Sequence, residues 1–318
     1  MTEIISPPKK NLIFDASVFT TVEACARLAD LRYNRSFISV KGKSTSLECG
    51  NIVHKVLEVY YKGVVNGKKR QDAINDGMAA GQLYISGCPY CKDFKIEGQQ
   101  PPCKHQPNEY PGVYSTPEET VGHRIGWRWV LKTCEQYFDF YKSDSWIPLE
   151  IEVVKGEILY EDDEIRILWK AKIDLTMDTN QGIFPVDHKT MKQRREQTTL
   201  NNQFMGQCLL MKTKRMIKNS IGFQTSLKPE ERFTREPIIF SFDRLHEWQS
   251  EILPYYAYKY LQYTDSGYWP PNFTHCDNIY GPCAFKFVCE ADRNKREEVL
   301  NELFKIGEKW DPHNVEDE

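Results

Sequence analysis

The sequence predicts an α/β fold because two hydrophobic patterns alternate along it. Between residues 164 and 178, apolar side chains alternate strictly with polar ones, which is typical of a strand with one buried face. Segment 50–63 repeats apolar residues at helical spacing, and segments 118–142, 196–218 and 243–262 also have helical patterns. Strands and helices that interleave in this way predict a sheet with helices packed against it.

Composition places the chain among ordinary globular proteins, with 318 residues, 40% hydrophobic and 27% charged. The net charge of −3 argues against nucleic-acid binding over the whole surface, but a local basic cleft can form at 189–195 or 212–218. The sequence contains no apolar run typical of a signal peptide or a membrane span. We therefore expect a cytoplasmic protein, and the single-module design is compatible with a virus-encoded protein in a host cytoplasm.

Two acidic side chains are predicted to meet across a turn at 179–182. Asp174 lies on the polar side of the strand before this turn, and Asp187 and Lys189 lie on one face of the strand after it, with His188 on the other face. Antiparallel pairing would bring Asp174 and Asp187 together beside Lys189. Two converging carboxylates repel each other, and a divalent cation such as Mg²⁺, which prefers oxygen ligands, is the natural compensation.

This arrangement suits the hydrolysis of a phosphodiester bond. A bound metal ion polarises the phosphoryl oxygen and lowers the pKa of a water molecule, and an adjacent ammonium group stabilises the developing negative charge. The alternative is an ordinary ion pair between Asp187 and Lys189 on a solvated sheet face. Glu152, at a strand end before the site, either assists a second metal ion or has a structural role.

Four segments, in order along the chain, resemble the motifs of the RecB-like branch of the PD-(D/E)xK nuclease superfamily. They are GNIVHKVLE with His54, KIDL with Asp174, VDHKT with Asp187 and Lys189, and QFMGQ with Gln203. The last departs from the QxxxY motif, because Gln207 stands where a tyrosine is usual. The resemblance implies a restriction-endonuclease-like fold, a mixed sheet flanked by helices.

The same resemblance implies roles for these residues. His54, Asp174 and Asp187 would bind Mg²⁺ or Mn²⁺. Lys189 would serve the attacking water and the transition state, and Gln203 would orient catalytic or substrate groups.

The ten cysteines indicate metal ligation, because disulfides are rare in reducing compartments. Cys276, Cys283 and Cys289 lie close together in sequence and need a fourth partner. The resemblance supplies Cys25, within a helix predicted over 18–30, because iron–sulfur members of the branch, including CRISPR-associated and AddB-type nucleases, use one cysteine before the core and three after it. A [4Fe–4S] cluster would then join both ends of the chain; a zinc ion and separate buried thiols are the alternatives.

A second set of ligands lies in a segment that is rich in Gly, Pro and Cys and lacks helical periodicity. It consists of Cys88, Cys91, Cys103 and His105, which predict a tetrahedral zinc site in an inserted loop over 86–118. The loop would be a structural staple, or it would contact DNA or a protein. The remaining helical cysteines, Cys49, Cys134 and Cys208, are expected to be core thiols.

The sequence thus predicts a metal-dependent deoxyribonuclease, an exonuclease or single-strand nuclease in recombination, repair or replication, working with a partner protein of those processes. Lys192, Arg194 and Arg195 would contact DNA. The aromatic run 255–263 is expected to pack in the core rather than to stack on bases. The alternative function is a non-catalytic nucleic-acid-binding or assembly subunit with the same fold. The expected organisation is an N-terminal helical part at 1–85, the zinc loop at 86–118, the nuclease core at 119–270 and a cluster-binding tail at 271–318.

Overall fold

A computed structural model describes residues 9–40, 45–86, 127–191, 200–224, 226–278 and 281–308 of the chain. Its strands are β1 (Lys10–Phe14), β2 (Phe37–Ser39), β3 (Ile147–Glu161), β4 (Ile165–Thr179), β5 (Gly182–Met191), β6 (Arg215–Gly222), β7 (Phe233–Ile239), β8 (Asp277–Asn278), β9 (Gly281–Pro282) and β10 (Phe304–Ile306). Its α-helices are α1 (Ala16–Ala24), α2 (Ala26–Ala29), α3 (Thr45–Val65), α4 (Arg70–Ser86), α5 (Trp127–Phe140), α6 (Asn202–Leu210), α7 (Pro229–Arg232), α8 (Phe242–Glu247), α9 (Leu253–Ser266), α10 (Lys286–Glu290) and α11 (Arg296–Leu303).

Six of the strands form one mixed sheet with the order β1-β4-β5-β6-β7, in which β3 also pairs with β4. The pairs β1–β4 and β5–β6 are parallel, and the others are antiparallel. The strand β4 pairs with three other strands: with β3 along most of its length, with β1 in its first half and with β5 at its end. A tight turn joins β4 to β5, and Gly182 in this turn has a φ of 120° that favours glycine.

Helices cover both faces of this sheet over separate hydrophobic cores. On one face, residues of α1, α6 and α9 surround Trp169 of β4 and Trp248. On the other face, α3 and α5 pack against β5 and β6 through side chains such as Ile52, Val56 and Tyr137. The predicted α/β class, a mixed sheet flanked by helices, is therefore confirmed. In the described part of the chain, no helix has the length and apolar character needed to cross a membrane.

The helix predicted over 196–218 is wrong in its second half. The helix α6 ends at Leu210, and β6 begins at Arg215 as an inner strand between β5 and β7. Every position of β6 after Arg215 is buried, including Lys218 and Asn219. A strand that is covered on both faces and carries buried polar residues shows neither alternation nor a continuous apolar run, so its sequence pattern does not predict a strand.

The helix predicted over 18–30 is interrupted at Cys25. This residue has an extended backbone, with φ −163° and ψ 113°, between α1 and α2. A π-helical turn, Asp30–Asn34, follows α2. The sulfur of Cys25 accepts a hydrogen bond of 3.3 Å from the backbone N–H of Asn272, which lies 247 residues further along the chain. The interruption thus turns the thiol towards the C-terminal part of the protein.

Candidate functional site

Two buried aspartates face each other across the β4–β5 hairpin. The antiparallel register runs as far as the pair Leu175–Val186, and the buried Asp174 and Asp187 are the next residues of the two strands. Oδ2 of Asp174 accepts a hydrogen bond of 2.8 Å from the backbone N–H of His188. The register of a short hairpin therefore brings both carboxylates to one point of the sheet.

Negative charge at this point is costly. The pKa of Asp174 is raised to about 6: burial is the largest cause and the carboxylates of Asp187 and Glu152 add to it, whereas His54 and the N–H of His188 act in the opposite direction. A carboxyl group that is buried beside two others is stabilised in its ionised form by a cation. The site is therefore electrostatically suited to a divalent metal ion.

Polar contacts join three side chains to one another: Lys189, Gln203 and Asp187. The ammonium group of Lys189 lies 2.8 Å from Oδ2 of Asp187 and donates a hydrogen bond of 2.9 Å to Oε1 of Gln203. Nε2 of Gln203 in turn donates to Oδ1 of Asp187 over 2.8 Å. Burial lowers the pKa of Lys189, but the attraction of Asp187 outweighs it and raises the pKa above its ordinary value. The lysine is thus held as a cation.

The backbone of α6 positions Gln203 for these contacts. The side chain of Asn201 caps this helix and accepts hydrogen bonds from the N–H groups of Gln203 and Phe204, at 2.8 Å and 3.4 Å. Gln203 therefore lies in the first turn of the helix. Gln207, one turn later, is buried and makes none of these contacts.

His54 reaches the same point from α3 on the other side of the sheet. Its Nε2 lies 3.1 Å from the backbone carbonyl oxygen of His188, and its Nδ1 lies 3.8 Å from Oδ2 of Asp174. The imidazole is about one-third exposed, at 35% of its side-chain surface. It can therefore approach a ligand that enters from solvent.

The ring of His188 lies on the opposite face of β5 and is buried. It stacks on the ring of Tyr61, with centroids 6.0 Å apart and an angle of 7°. Nδ2 of Asn219 lies 2.8 Å from its Nδ1 and 3.0 Å from the hydroxyl of Tyr137. Burial lowers the pKa of His188 well below its usual value, so the ring is neutral. These contacts fix the strand so that its backbone carbonyl faces His54.

Glu152 joins the site from the edge strand β3. The neighbouring pairs Ile151–Leu175 and Val153–Ile173 place Glu152 opposite Asp174. Its backbone has a φ of 55°, a left-handed conformation that costs free energy for a residue other than glycine. Its carboxylate lies 2.7 Å from the ammonium of Lys172. A third acidic side chain thus lies within 4.8 Å of the ligand atoms of Asp174 and His54.

Within the described ranges, one group of three or more His, Cys, Asp or Glu side chains has its ligand atoms within 4.8 Å of one another: His54, Glu152 and Asp174. The sequence suggested Asp187 in place of Glu152. Asp187 instead contacts Lys189. The sequence does not predict the positive φ of Glu152. We call Glu152, Asp174 and Asp187, together with His54, Lys189 and Gln203, the carboxylate cluster.

A sequence model of one protein family, the PD-(D/E)XK nuclease superfamily, matches residues 14–290, which include the whole carboxylate cluster. The chain belongs to the PD-(D/E)XK nuclease superfamily. Membership of the superfamily implies a nuclease that binds DNA, and PD-(D/E)XK nucleases generally use divalent metal ions. The comparison with curated proteins gives no match.

A second group of potential ligands in this PD-(D/E)XK chain surrounds one cavity near the chain ends. Four cysteines line it, and we call it the cysteine cavity: Cys25, Cys276, Cys283 and Cys289. Burial and the neighbouring thiols raise the pKa values of Cys276 and Cys283. Among the residues that the structure describes, no three of these sulfur atoms all lie within 4.8 Å of one another. Arg27 and His275 also line the cavity.

Two sets of predicted site residues lie outside the described ranges. They are the zinc ligands Cys88, Cys91, Cys103 and His105, and the basic residues Lys192, Arg194 and Arg195. The three cysteines that were predicted to be core thiols are buried and unbridged, which confirms that prediction: Cys49, Cys134 and Cys208.

Proposed function

We propose that this chain is a Mg²⁺- or Mn²⁺-dependent deoxyribonuclease that hydrolyses phosphodiester bonds at the carboxylate cluster. The observation that carries the proposal is the contact set of Asp187, Lys189 and Gln203 beside Asp174. An ordinary surface ion pair would leave both partners in solvent, whereas Asp187 is fully buried. Burial of a charged pair is costly, and its position next to a second carboxylate supports a catalytic role.

The residues present fit a hard divalent cation. Asp174 and Glu152 offer carboxylate oxygens within 4.8 Å of a ring nitrogen of His54, and Asp187 is a further carboxylate near Asp174. The carbonyl oxygen of His188 lies 3.1 Å from Nε2 of His54. Oxygen ligands with one imidazole suit Mg²⁺ and Mn²⁺. When bound, such an ion supplies Lewis-acid activation of the scissile phosphate and of a water molecule.

The side chains of the chain itself have distinct roles in this proposal. Lys189 remains protonated, so it provides a fixed positive charge for the attacking water and for the negative charge that develops on the phosphate. Gln203 holds the ammonium and the carboxylate of Asp187 in one arrangement, so neither needs to reorganise during the reaction. The neutral ring of His188 anchors β5 from its opposite face.

The substrate is proposed to be a DNA end or a single strand, in recombination, repair or replication, with a partner protein of those processes. Support comes from the four motifs that resemble the RecB-like branch, whose exonucleases act in this way. Lys192, Arg194 and Arg195 follow directly after β5, so they are close in sequence to the proposed catalytic strand. We propose that they contact the phosphate backbone, to which Lys and Arg commonly bind.

We further propose that the cysteine cavity binds a [4Fe–4S] cluster. Support comes from the four cysteines that line the cavity, one before the nuclease core and three after it, which is the arrangement that iron–sulfur members of the RecB-like branch use. The N–H of Asn272 donates to Cys25, and such hydrogen bonds stabilise thiolate ligands. The sequence pattern at Cys88, Cys91, Cys103 and His105 supports a separate structural zinc site.

Cleavage of end-labelled single- and double-stranded DNA tests the proposed activity. The wild-type protein should cleave DNA with Mg²⁺ or Mn²⁺ and not with EDTA. Lys189→Ala should lower the rate about 10²- to 10³-fold without loss of folding, because one group that stabilises the transition state is removed. Lys142→Ala, which changes an exposed lysine paired with Asp139, is the matched control and should be unaffected. DNA binding without any cleavage would contradict the proposal and favour a non-catalytic subunit.

A further inference from the structure

A groove lined by tyrosines lies between the end of α1 and the helix α9. It has a volume of about 210 Å³. We call it the tyrosine groove, and its main lining residues are Glu23, Cys25, Tyr255, Tyr256, Lys259 and Tyr263. These residues belong to the aromatic run at 255–263 and to the segment before the helix interruption at Cys25.

The aromatic run divides into two sets with different environments. Tyr256 and Tyr260 pack in the core, with ring contacts to Phe19 and Phe14 at 5.3 Å and 5.4 Å, as the sequence predicted. Tyr255 instead has 56% of its surface exposed. The prediction of core packing therefore does not hold for the whole run.

Tyr255, Lys259 and Tyr263 are spaced four residues apart, so they share one face of α9. Successive members are separated by about 6 Å along the helix axis. The ammonium of Lys259 lies over the ring of Tyr255, 5.8 Å from its centroid, which places a positive charge at one face of that ring. A rigid helix thus presents two rings and one cation to the groove.

The groove adjoins the cysteine cavity, and a hydrogen bond links its wall to the helix that carries Gln203. At one end, Glu23 accepts a hydrogen bond of 2.8 Å from Asn202, which precedes Gln203 of the carboxylate cluster. At the other end, Cys25 and Asn272 line both the groove and the cysteine cavity. A strand held in the groove would therefore lie beside the cysteine cavity.

We propose that the tyrosine groove binds unpaired bases of single-stranded DNA, with Tyr255 and Tyr263 as stacking platforms and Lys259 beside the backbone. This inference rests on the proposed nuclease function and specifies its substrate. Every base has a π-face that can stack on an aromatic side chain, so such binding does not depend on sequence. In a duplex these faces are covered by neighbouring base pairs, so the groove selects single strands.

Binding of a fluorescein-labelled oligo(dT) to the full-length protein in EDTA tests the inference, measured by fluorescence anisotropy. Tyr255→Ala and Tyr263→Ala should each weaken binding about 5- to 150-fold, because one stacking contact is lost. Tyr255→Phe keeps the ring and should bind like the wild type. Tyr258→Ala changes a tyrosine on another face of the same helix and is the matched control, with binding within about twofold.

Photocrosslinking locates the bound strand independently. An oligonucleotide with 5-iodouracil should label the peptide that contains residues 255–263. Crosslinks exclusively elsewhere, or unchanged affinity in both alanine variants, would overturn the inference. Because these assays need no cleavage, an inactive protein with tyrosine-dependent binding would contradict only the nuclease proposal. An active protein that is insensitive to both tyrosine changes would contradict only the groove.

Discussion

The carboxylate cluster and the cysteine cavity both gather potential metal ligands, but they are built in opposite ways. Asp174 and Asp187 meet through a hairpin of neighbouring strands. Cys25 lies near the three C-terminal cysteines, and its sulfur accepts a hydrogen bond from Asn272, which is 247 residues away in sequence. Hydrogen-bonded strand register fixes the first site, whereas the second depends on bringing two distant parts of the chain together.

This difference teaches that ligand removal should have opposite consequences at the two sites. The carboxylates repel each other on a sheet that needs no ion to form, so a metal ion there serves the chemistry. The cysteines close a very long loop, so whatever they bind also contributes to folding. The predictions below test this contrast between a site for function and a site for stability.

The largest effect is expected from loss of a cysteine ligand. Cys25→Ser or Cys276→Ser in anaerobically purified protein should bleach its brown colour and lower the melting temperature by about 5–15 °C, because the long loop is no longer closed. Visible absorption and thermal unfolding measure both changes. Cys134→Ala removes a buried thiol far from the cavity and should keep the colour. A colourless wild type that contains two zinc ions would rule out the iron–sulfur proposal.

Removal of an aspartate should stabilise the protein rather than destabilise it. In metal-free protein, the pKa of Asp174 is raised from 3.8 to about 6, so the stability present below pH 4 is lost as the pH rises through about 6. Asp174→Asn should therefore stabilise the protein at pH 8, by about 3 kcal/mol at most, and have little effect near pH 4. Thermal unfolding in EDTA across this range measures the difference. Destabilisation by Asp174→Asn at pH 8 would contradict the electrostatic account.

A smaller effect is expected at Glu152. Glu152→Gln should weaken Mn²⁺ binding about tenfold, because one carboxylate of the group with His54 and Asp174 is lost. Titration calorimetry measures the affinity directly. Glu150→Gln is the matched control, since this carboxylate lies two residues away on the same strand and pairs with Lys155. Equal effects of both variants would show that Glu152 acts through general charge rather than as a ligand.

The sequence predicted the structural elements whose residue pattern depends only on neighbouring positions in the chain. Alternation in β4 predicted a strand, and the two-residue spacing of Asp187 and Lys189 predicted that they share one face of the next strand, where their side chains lie 2.8 Å apart. The inner strand β6 was missed because burial on both faces, with Lys218 paired to Glu236, removes the alternating pattern. The position of Glu152 depends on a left-handed backbone that its residue type does not indicate.

The cysteine set shows a different limit of sequence reasoning. Periodicity predicts an unbroken helix around Cys25, but a tertiary contact with Asn272 accompanies an extended residue there. Local preference was thus overridden by long-range packing, which a single sequence does not reveal. The partner of Cys25 came from resemblance to a family rather than from its own neighbourhood.

Anomalous diffraction from a crystal of the protein soaked in Mn²⁺ tests the central claim most directly. We predict an anomalous peak at coordination distance from both Asp174 and Asp187, with the ammonium of Lys189 still beside Asp187. A manganese ion bound elsewhere, with the two aspartates making no contact to it at saturating concentration, would contradict the account.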